Sequence, residues 1–154
     1  MKVLRVMANN RKRELVLETK GGKYVFPFSQ LALRPSTADP LVEVFVDTEA
    51  GSEAITYRLR SGKEDTVLLD NVLWYNQDPE IMRKLFLHDL TVRAQDAIKT
   101  KHIGKRFLIR KLKTSPTHLY RLLDQTNYGK TIDQMLKLLA AVGVRVEIKM
   151  KNAA

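Results

Sequence analysis

The chain has 154 residues, 44% of them hydrophobic, no cysteine and a formal net charge of +10 at pH 7. This length allows one medium domain or two small ones, and the lack of cysteine excludes disulfides and thiol chemistry. The early charges argue against a signal peptide, and no apolar run approaches the ~20 residues of a membrane helix. We therefore expect a soluble, cytoplasmic protein that has no membrane partner.

The first half of the chain alternates between apolar and polar residues, as half-buried strands do. Turn residues separate the alternating runs: Asn9 and Asn10, Gly21 and Gly22, and Ser61 and Gly62. The predicted strands are residues 3–7, 14–19, 24–26, 42–46, 55–59 and 67–69. Because hairpin turns join most of them, we expect a small antiparallel β domain over residues 1–77, with a helix around residues 28–32.

This β domain shows no pattern of catalytic residues. It contains no histidine and no cysteine. Its acidic residues lie at alternating or loop positions, as on a solvated sheet face: Glu43, Asp47, Glu49 and Glu53. Gly21 and Gly22 predict a turn rather than a phosphate loop, because no Lys-Ser/Thr pair follows them. We expect no enzyme activity and no cofactor, whereas a ligand-binding role and a protein-binding role for this domain both remain open.

The second half, residues 78–154, is predicted to be helical as far as Gly143. Asp78 can cap a long helix whose first position is occupied by Pro79. The three histidines, His88, His102 and His118, are far apart and have no acid or cysteine at ligand spacing. A metal site is therefore not expected in this half of the chain.

Two short helices joined by a turn follow the long helix. Leu108 and Leu112 are four residues apart and share one helical face. Ser115 can cap the next helix through its hydroxyl, and Pro116 suits the first helical position. The apolar stripe of that helix is Leu119, Leu122 and Leu123. Its predicted outward residues are Thr117, His118, Tyr120 and Arg121.

A further helix is predicted from the capping box of Thr131 and Gln134, and Gly143 ends it. Its expected core stripe is Ile132, Met135, Leu136, Leu139 and Val142. Residues 144–150 then alternate strictly, which predicts a final strand with one apolar face. This strand would pair either with the β domain of its own chain or with a second copy in a homodimer.

The spacing of Leu108, Leu112, Leu119 and Leu122 resembles the helix-turn-helix of repressor-like (Cro/C1, XRE-type) DNA-binding domains. Residues 114–124 and 131–134 are especially similar to bacterial XRE-type regulators and antitoxins, and the similarity covers about residues 79–150. Two positions depart from the family, Ile109 in place of a small residue and Lys113 in place of the turn glycine, which predicts a wider turn. The resemblance implies an α+β chain whose second domain, residues 78–154, is all-α and repressor-like apart from the final strand.

The net charge lies entirely in this second half. Residues 1–78 contain 11 lysines and arginines and 11 acids, whereas residues 79–154 contain 16 and 6, which gives +10. A basic surface beside a presented helix is typical of a protein with a polyanionic partner. The charge distribution therefore favours nucleic-acid binding over a merely solubilising surface.

The predicted function is sequence-specific binding of double-stranded DNA by a homodimeric transcriptional regulator. The resemblance and the outward positions assign base contacts to Thr117, His118, Tyr120 and Arg121, and Arg121 best matches a guanine. The expected phosphate contacts are Lys105, Arg106, Arg110, Lys113, Ser115, Tyr128 and Lys130. Two alternatives come from other classes. One is an antitoxin-type interaction protein whose β domain binds a partner protein, and the other is an enzyme, which lacks any nucleophile, base or metal constellation.

Overall fold

The computed structural model describes residues 1–152, which form six β-strands, five α-helices and one short 3₁₀ helix. The mixed α+β class predicted from the sequence is confirmed, and so is the antiparallel pairing of the strands. The chain divides into two compact units, Met1–Ile81 (unit 1) and the part that begins at Met82 (unit 2). None of the helices in the described residues is both long enough and apolar enough to cross a membrane.

Unit 1 consists of two three-stranded antiparallel meanders, each followed by a helical turn. The first contains β1 (Val3–Asn9), β2 (Glu14–Thr19) and β3 (Gly22–Pro27), followed by the 3₁₀ helix Phe28–Gln30. The second contains β4 (Leu41–Val46), β5 (Ala54–Leu59) and β6 (Glu64–Leu68), followed by α1 (Leu69–Tyr75). For the third strand of this second meander, the sequence predicted residues 67–69, and it did not predict α1.

The second meander repeats the first in its register and its core. The register shifts at equivalent places, between Val3 and Arg5 in β1 and between Leu41 and Glu43 in β4. The buried side chains correspond in pairs: Val3 with Leu41, Leu15 with Ile55, Leu17 with Tyr57, Phe26 with Val67, Phe28 with Leu69 and Leu31 with Val72. None of the six pairs is identical in amino-acid type. Unit 1 is therefore an internal repeat in structure, although the sequence shows no repeat.

Backbone bonds that lie outside the strands support the same correspondence. The N–H of Phe28 donates to the carbonyl of Arg13 at 2.9 Å, and the N–H of Leu69 donates to the carbonyl of Glu53 at 2.9 Å. Each bond fixes the first residue after the third strand to the residue before the second strand. The helical turn therefore begins at the same place in both repeats.

Unit 2 contains most of α2 (Pro79–Thr100) and all of α3 (Lys105–Lys111), α4 (Pro116–Leu123) and α5 (Ile132–Ala141). The Asp78 carboxylate accepts the N–H groups of Glu80 and Ile81 at 3.1 and 3.2 Å and so caps α2, as the sequence predicted. The unit boundary falls after Ile81, inside the first turn of this helix, rather than after residue 77.

The core of unit 2 brings together side chains from all four helices. Its buried members are Leu87, Ala94, Ala97, Leu108, Leu119, Leu122, Met135, Leu138, Leu139 and Val142. The sequence placed Ile132 and Leu136 in the stripe of α5, but they are 39% and 38% exposed, and Leu138 is buried instead. The prediction was wrong there because a stripe with an apolar residue at almost every position does not reveal which side of the helix faces the core.

The predicted final strand is not formed. Residues 144–150 have no regular secondary structure, and they do not join either sheet of unit 1. Val144 packs partly against the core of unit 2, whereas Ile148 and Met150 are 82% and 93% exposed. Pairing with the chain's own sheets, one of the two possibilities left open by the sequence, is therefore not observed.

Candidate nucleic-acid interface

The turn between α3 and α4 is tight. The N–H of Lys113 donates to the carbonyl of Arg110 at 3.2 Å, and the N–H of Thr114 donates to the carbonyl of Ile109 at 3.1 Å. These two bonds form a Schellman motif, in which the residue after the cap takes a left-handed conformation. Lys113 has φ of 50° and so adopts the conformation that usually selects glycine. The wider turn expected from a lysine at this position is not observed.

The first turn of α4 is capped by its own sequence. The Ser115 hydroxyl accepts the N–H of His118 at 3.1 Å, and Pro116 occupies the start of the helix, as predicted. Ser115 is exposed, but its hydroxyl oxygen is engaged in this cap. A phosphate contact by Ser115, as predicted, would therefore use its backbone N–H or its hydroxyl hydrogen as the donor.

The outward residues of α4 point in three directions. Thr117 and Arg121 are one helical turn apart and form an exposed row along the helix. Tyr120 lies on the side of α3, where the Lys105 ammonium sits 4.6 Å from its ring centroid. His118 is half-buried and lines a cleft on the opposite side. The four predicted base-contact residues therefore form a central row with one residue on each flank.

The C-terminal end of α4 is held by three side chains, one from α2 and two from the loop between α4 and α5. The carbonyls in the last turn of a helix have no partner within the helix. Here the Asn127 amide donates to the Arg121 carbonyl at 3.1 Å, and the Gln95 amide donates to the Leu123 carbonyl. The Lys130 ammonium donates to the Leu122 carbonyl at 2.8 Å. The sequence did not single out Gln95 or Asn127, and no local pattern connects them to α4.

Lys130 is buried, which corrects its prediction as a phosphate contact. It is 5% exposed, and its ammonium donates to the Asp124 carbonyl at 2.9 Å and the Thr91 hydroxyl at 2.6 Å in addition to the Leu122 carbonyl. Burial lowers the pKa of this ammonium, and the nearby Asp124 carboxylate offsets part of that shift. A lysine with all three N–H bonds used inside the unit has no donor left for a phosphate.

An open cleft of about 540 Å³ lies along the His118 side of α4. The lining residues come from α4, the following loop and the first turn of α5: His118, Arg121, Leu122, Asp124, Thr126, Asn127, Gly129, Lys130 and Gln134. The Asp124 carboxylate accepts the hydroxyl and the N–H of Thr126 at 2.7 and 2.9 Å, and these bonds lower its pKa. The cleft is thus polar, with the guanidinium of Arg121 at its α4 wall.

Positive charge is concentrated on α3, the turn and α4. Residues 105–123 contain six lysines and arginines and no acid. These six residues are exposed: Lys105, Arg106, Arg110, Lys111, Lys113 and Arg121. Within residues 1–152, none of the six has a carboxylate at ion-pair distance, in contrast to Arg93, which lies 3.6 Å from Asp89. The potential of this surface is therefore not neutralised by neighbouring acids.

The predicted phosphate contacts are only partly brought together. Arg106 and Arg110 are one turn apart on the exposed side of α3, and Lys113 follows in the turn. Tyr128 is half-buried against α2, where the Arg83 guanidinium donates to its carbonyl at 2.7 Å and the Lys84 ammonium lies 5.9 Å from its ring centroid. Lys111 was not among the predicted contacts, and its ammonium lies 5.4 Å from the ring centroid of the exposed Phe107.

The described residues contain no group of three histidine, cysteine or acidic side chains that could hold a metal ion. Comparison of the chain with protein-family models, curated proteins and solved structures gave no match. The resemblance to XRE-type regulators therefore remains a prediction from the sequence.

Proposed function

We propose that unit 2 is a repressor-like helix-turn-helix domain that binds double-stranded DNA sequence-specifically and acts in transcriptional regulation. The observation that carries the proposal is α4 itself. This helix is capped at its N-terminus and bonded at its C-terminal carbonyls. It presents an exposed polar row that includes Arg121, beside five further cations that have no carboxylate at ion-pair distance. A rigid helix of this kind can enter the major groove while the surrounding cations hold the phosphates.

Each side chain takes a role that follows from its place on α4. Arg121 is our candidate for a guanine, because its guanidinium can donate two parallel bonds to O6 and N7. Thr117, one turn earlier, contacts the neighbouring base, and Tyr120 and His118 contact the two edges of the same groove. Arg106, Arg110 and Lys113 bind phosphates on the α3 side, and Lys105 does so from its position over Tyr120.

Arg121→Ala tests the readout. The substitution should leave the melting temperature of unit 2 nearly unchanged, because Arg121 is exposed and its backbone bonds remain. Binding to a preferred sequence should weaken by about 1–3 kcal/mol relative to random DNA, since a bidentate contact to the correct base is worth that much. Competition titrations measured by fluorescence anisotropy give both affinities.

Arg93→Ala is the matched control, because it removes the same charge from the exposed side of α2. It should change the two affinities equally. If Arg121→Ala also weakens specific and random binding by the same factor, Arg121 contacts a phosphate and reads no base.

A protein-binding role for unit 1 is the second candidate function. Exposed apolar side chains occupy equivalent positions of the two repeats, Leu4 and Met7 in β1 and Val42 and Phe45 in β4. Together these four side chains supply exposed apolar area of the kind that a protein partner can cover. Co-purification of a stoichiometric second polypeptide, lost when Leu4 and Val42 are both replaced by serine, would support this antitoxin-type function.

We further propose that the working species is a homodimer joined by residues 144–150. One helix-turn-helix reads only a few base pairs, and such domains gain specificity by placing two recognition helices about one DNA turn, ~34 Å, apart. The tail has an apolar side with Val146 and Ile148 and a charged side on which Arg145 lies 3.1 Å from Glu147. Antiparallel pairing centred on Val146 places Arg145 of each copy opposite Glu147 of the other.

Val146→Cys tests this register, because the chain contains no other cysteine. The two thiols would lie directly opposite one another, so mild oxidation should give a disulfide-linked dimer that keeps specific DNA binding. The product is measured on a non-reducing gel. Lys137→Cys, on the exposed side of α5, is the control and should remain monomeric on the gel. Equal cross-linking of both variants would refute pairing through the tail.

A further inference from the structure

The C-terminal end of α4 depends on contacts from outside the helix. With eight residues, α4 has about two turns, and a helix of this length is unstable unless its ends and its apolar side are fixed by the surrounding structure. At the N-terminus, the cap comes from the adjacent Ser115. At the C-terminus, the chain leaves the helix at Asp124 with an extended ψ of 112°. The N–H of Asp124 still donates to the Arg121 carbonyl at 3.4 Å, whereas the Leu122 and Leu123 carbonyls receive no continuing helical N–H groups.

Lys130 supplies the charged donor at this end. Its ammonium bonds the carbonyls of Leu122 and Asp124, on either side of the last helical residue, at 2.8 and 2.9 Å. A positive charge at the C-terminal end of a helix is also favoured by the helix dipole. Within the described residues no carboxylate lies at ion-pair distance from Lys130, and the Asp124 carboxylate accepts its hydrogen bonds from Thr126. The ammonium donates its hydrogen bonds to two carbonyls and a hydroxyl, while the nearby Asp124 carboxylate favours its charged form.

The same ammonium connects α4 to α2. It donates to the Thr91 hydroxyl at 2.6 Å, and that hydroxyl in turn donates to the Leu87 carbonyl at 2.6 Å. Thr91 is fully buried, and α2 is the longest helix in the described chain, so this anchor point is fixed. Gln95, one turn further along α2, bonds the Leu123 carbonyl. Two residues of α2 thereby hold the end of α4.

We propose that Lys130 is a positioning residue for DNA readout, which fixes the end of α4 through the Leu122 and Asp124 carbonyls and so holds the adjacent Arg121 side chain in place for its base. The inference rests on the function proposed above. A purely structural lysine would stabilise all helices of unit 2 together. A positioning lysine keeps α4 in one orientation, and its loss affects the discrimination between DNA sequences more than the affinity for DNA in general.

The experiment uses the full chain with Lys130→Met, which keeps most of the apolar stem and removes the donors, and with Lys137→Met as the control. Lys137 is exposed on α5, so the control loses the same charge. Two quantities are measured: amide hydrogen exchange in each helix, and the ratio of affinities for a selected sequence and for random DNA. Lys130→Met should speed exchange at the end of α4 about tenfold or more, since a charged donor contributes that factor to an equilibrium. Exchange in α2 and α5 should stay as in the wild type.

The ratio of the affinity for the selected sequence to that for random DNA should also fall about tenfold or more in Lys130→Met, because the same charged hydrogen bonds are lost. It should not change in Lys137→Met. An equal loss of protection in α2, α4 and α5, or an unchanged ratio, would overturn the positioning role. If Lys130→Met does not fold, Thr91→Val is measured in its place. This variant removes the hydroxyl that anchors the ammonium to α2 and leaves both carbonyl bonds. Exchange at the end of α4 should then be faster than in the wild type, and unchanged exchange there would refute the inference. If the wild type binds the selected sequence and random DNA equally well, the proposed function is contradicted. The exchange measurement still tests whether Lys130 fixes the end of α4.

Discussion

Leu119→Lys should unfold unit 2. Leu119 is 1% exposed and packs in the centre of the helical core, whereas the neighbouring Tyr120 is 55% exposed. An unpaired ammonium at a buried site costs several kcal/mol, which is comparable with the whole stability of a small domain, ~5–15 kcal/mol. The loss is measured as the fall in helical circular dichroism at 222 nm and the disappearance of dispersed amide signals from residues 82–152.

Tyr120→Lys is the matched control for this substitution. It adds the same charge to the same helix one position later, on the exposed side. We expect it to keep the helical signal and the cooperative melting transition. If both variants melt like the wild type, α4 does not pack through Leu119, and the assignment of its inward and outward sides is wrong.

Replacing Lys105, Arg106 and Arg110 together by glutamine should strongly reduce DNA binding and its dependence on salt. The logarithm of the association constant falls by ~0.9 per tenfold salt increase for each neutralised phosphate, so three lost contacts should lower the slope by ~2.7. The fold should not change, because all three side chains are exposed. Titrations of a duplex at several salt concentrations give the slope.

Net charge alone could weaken binding, so the control removes three cations elsewhere in unit 2. Arg93, Lys99 and Lys137 are exposed on α2 and α5. Replacing these three by glutamine makes the same change in charge, but the slope should stay within ~1 of the wild-type value because no direct phosphate contact is lost. Equal slopes for the two triple variants would show that binding depends on the overall charge and not on the surface of α3 and α4.

The sequence predicted the strands of unit 1 well, because alternation of buried and exposed residues is a local property. Thus Leu15, Leu17 and Phe26 are all buried, as alternation requires. It did not reveal the internal repeat. What the repeats share is the register shift and the position of the core, while the side chains differ, as with Leu17 and Tyr57. Several apolar residues can fill an equivalent core position, so the repeat is preserved in geometry but not in amino-acid type.

Helix ends were less predictable, because left-handed positions are not always glycine. Gly143, with φ of 74°, was identified as the end of α5. Gln77, His102 and Lys113 take the same conformation after α1, α2 and α3, with φ of 56°, 52° and 50°. Each is held by backbone bonds of the Schellman type, such as that from Ile103 to the Ile98 carbonyl at 3.0 Å. Local backbone hydrogen bonds therefore accompany a conformation that single-residue preferences disfavour.

The exposed residues of the candidate interface follow from the sequence, whereas the contacts that hold it do not. The i, i+3, i+4 spacing of Leu119, Leu122 and Leu123 is enough to place Thr117 and Arg121 outward. The burial of Lys130 could not be predicted, because it depends on Thr91, which is 39 residues away in sequence. A lysine in a basic segment is ordinarily assigned to the surface. Only the three-dimensional packing distinguishes this lysine from its exposed neighbours.

The central claim, that α4 reads DNA sequence, is tested most directly by selecting bound duplexes from a random pool with the full chain and with Arg121→Ala in parallel. We expect the wild type to enrich one short motif that includes a guanine, arranged as two half-sites about one helical turn apart, ~10 base pairs. Arg121→Ala should enrich a motif that no longer specifies this guanine. Recovery of no motif by the wild type, or of the same motif with the same guanine by both proteins, would contradict the account.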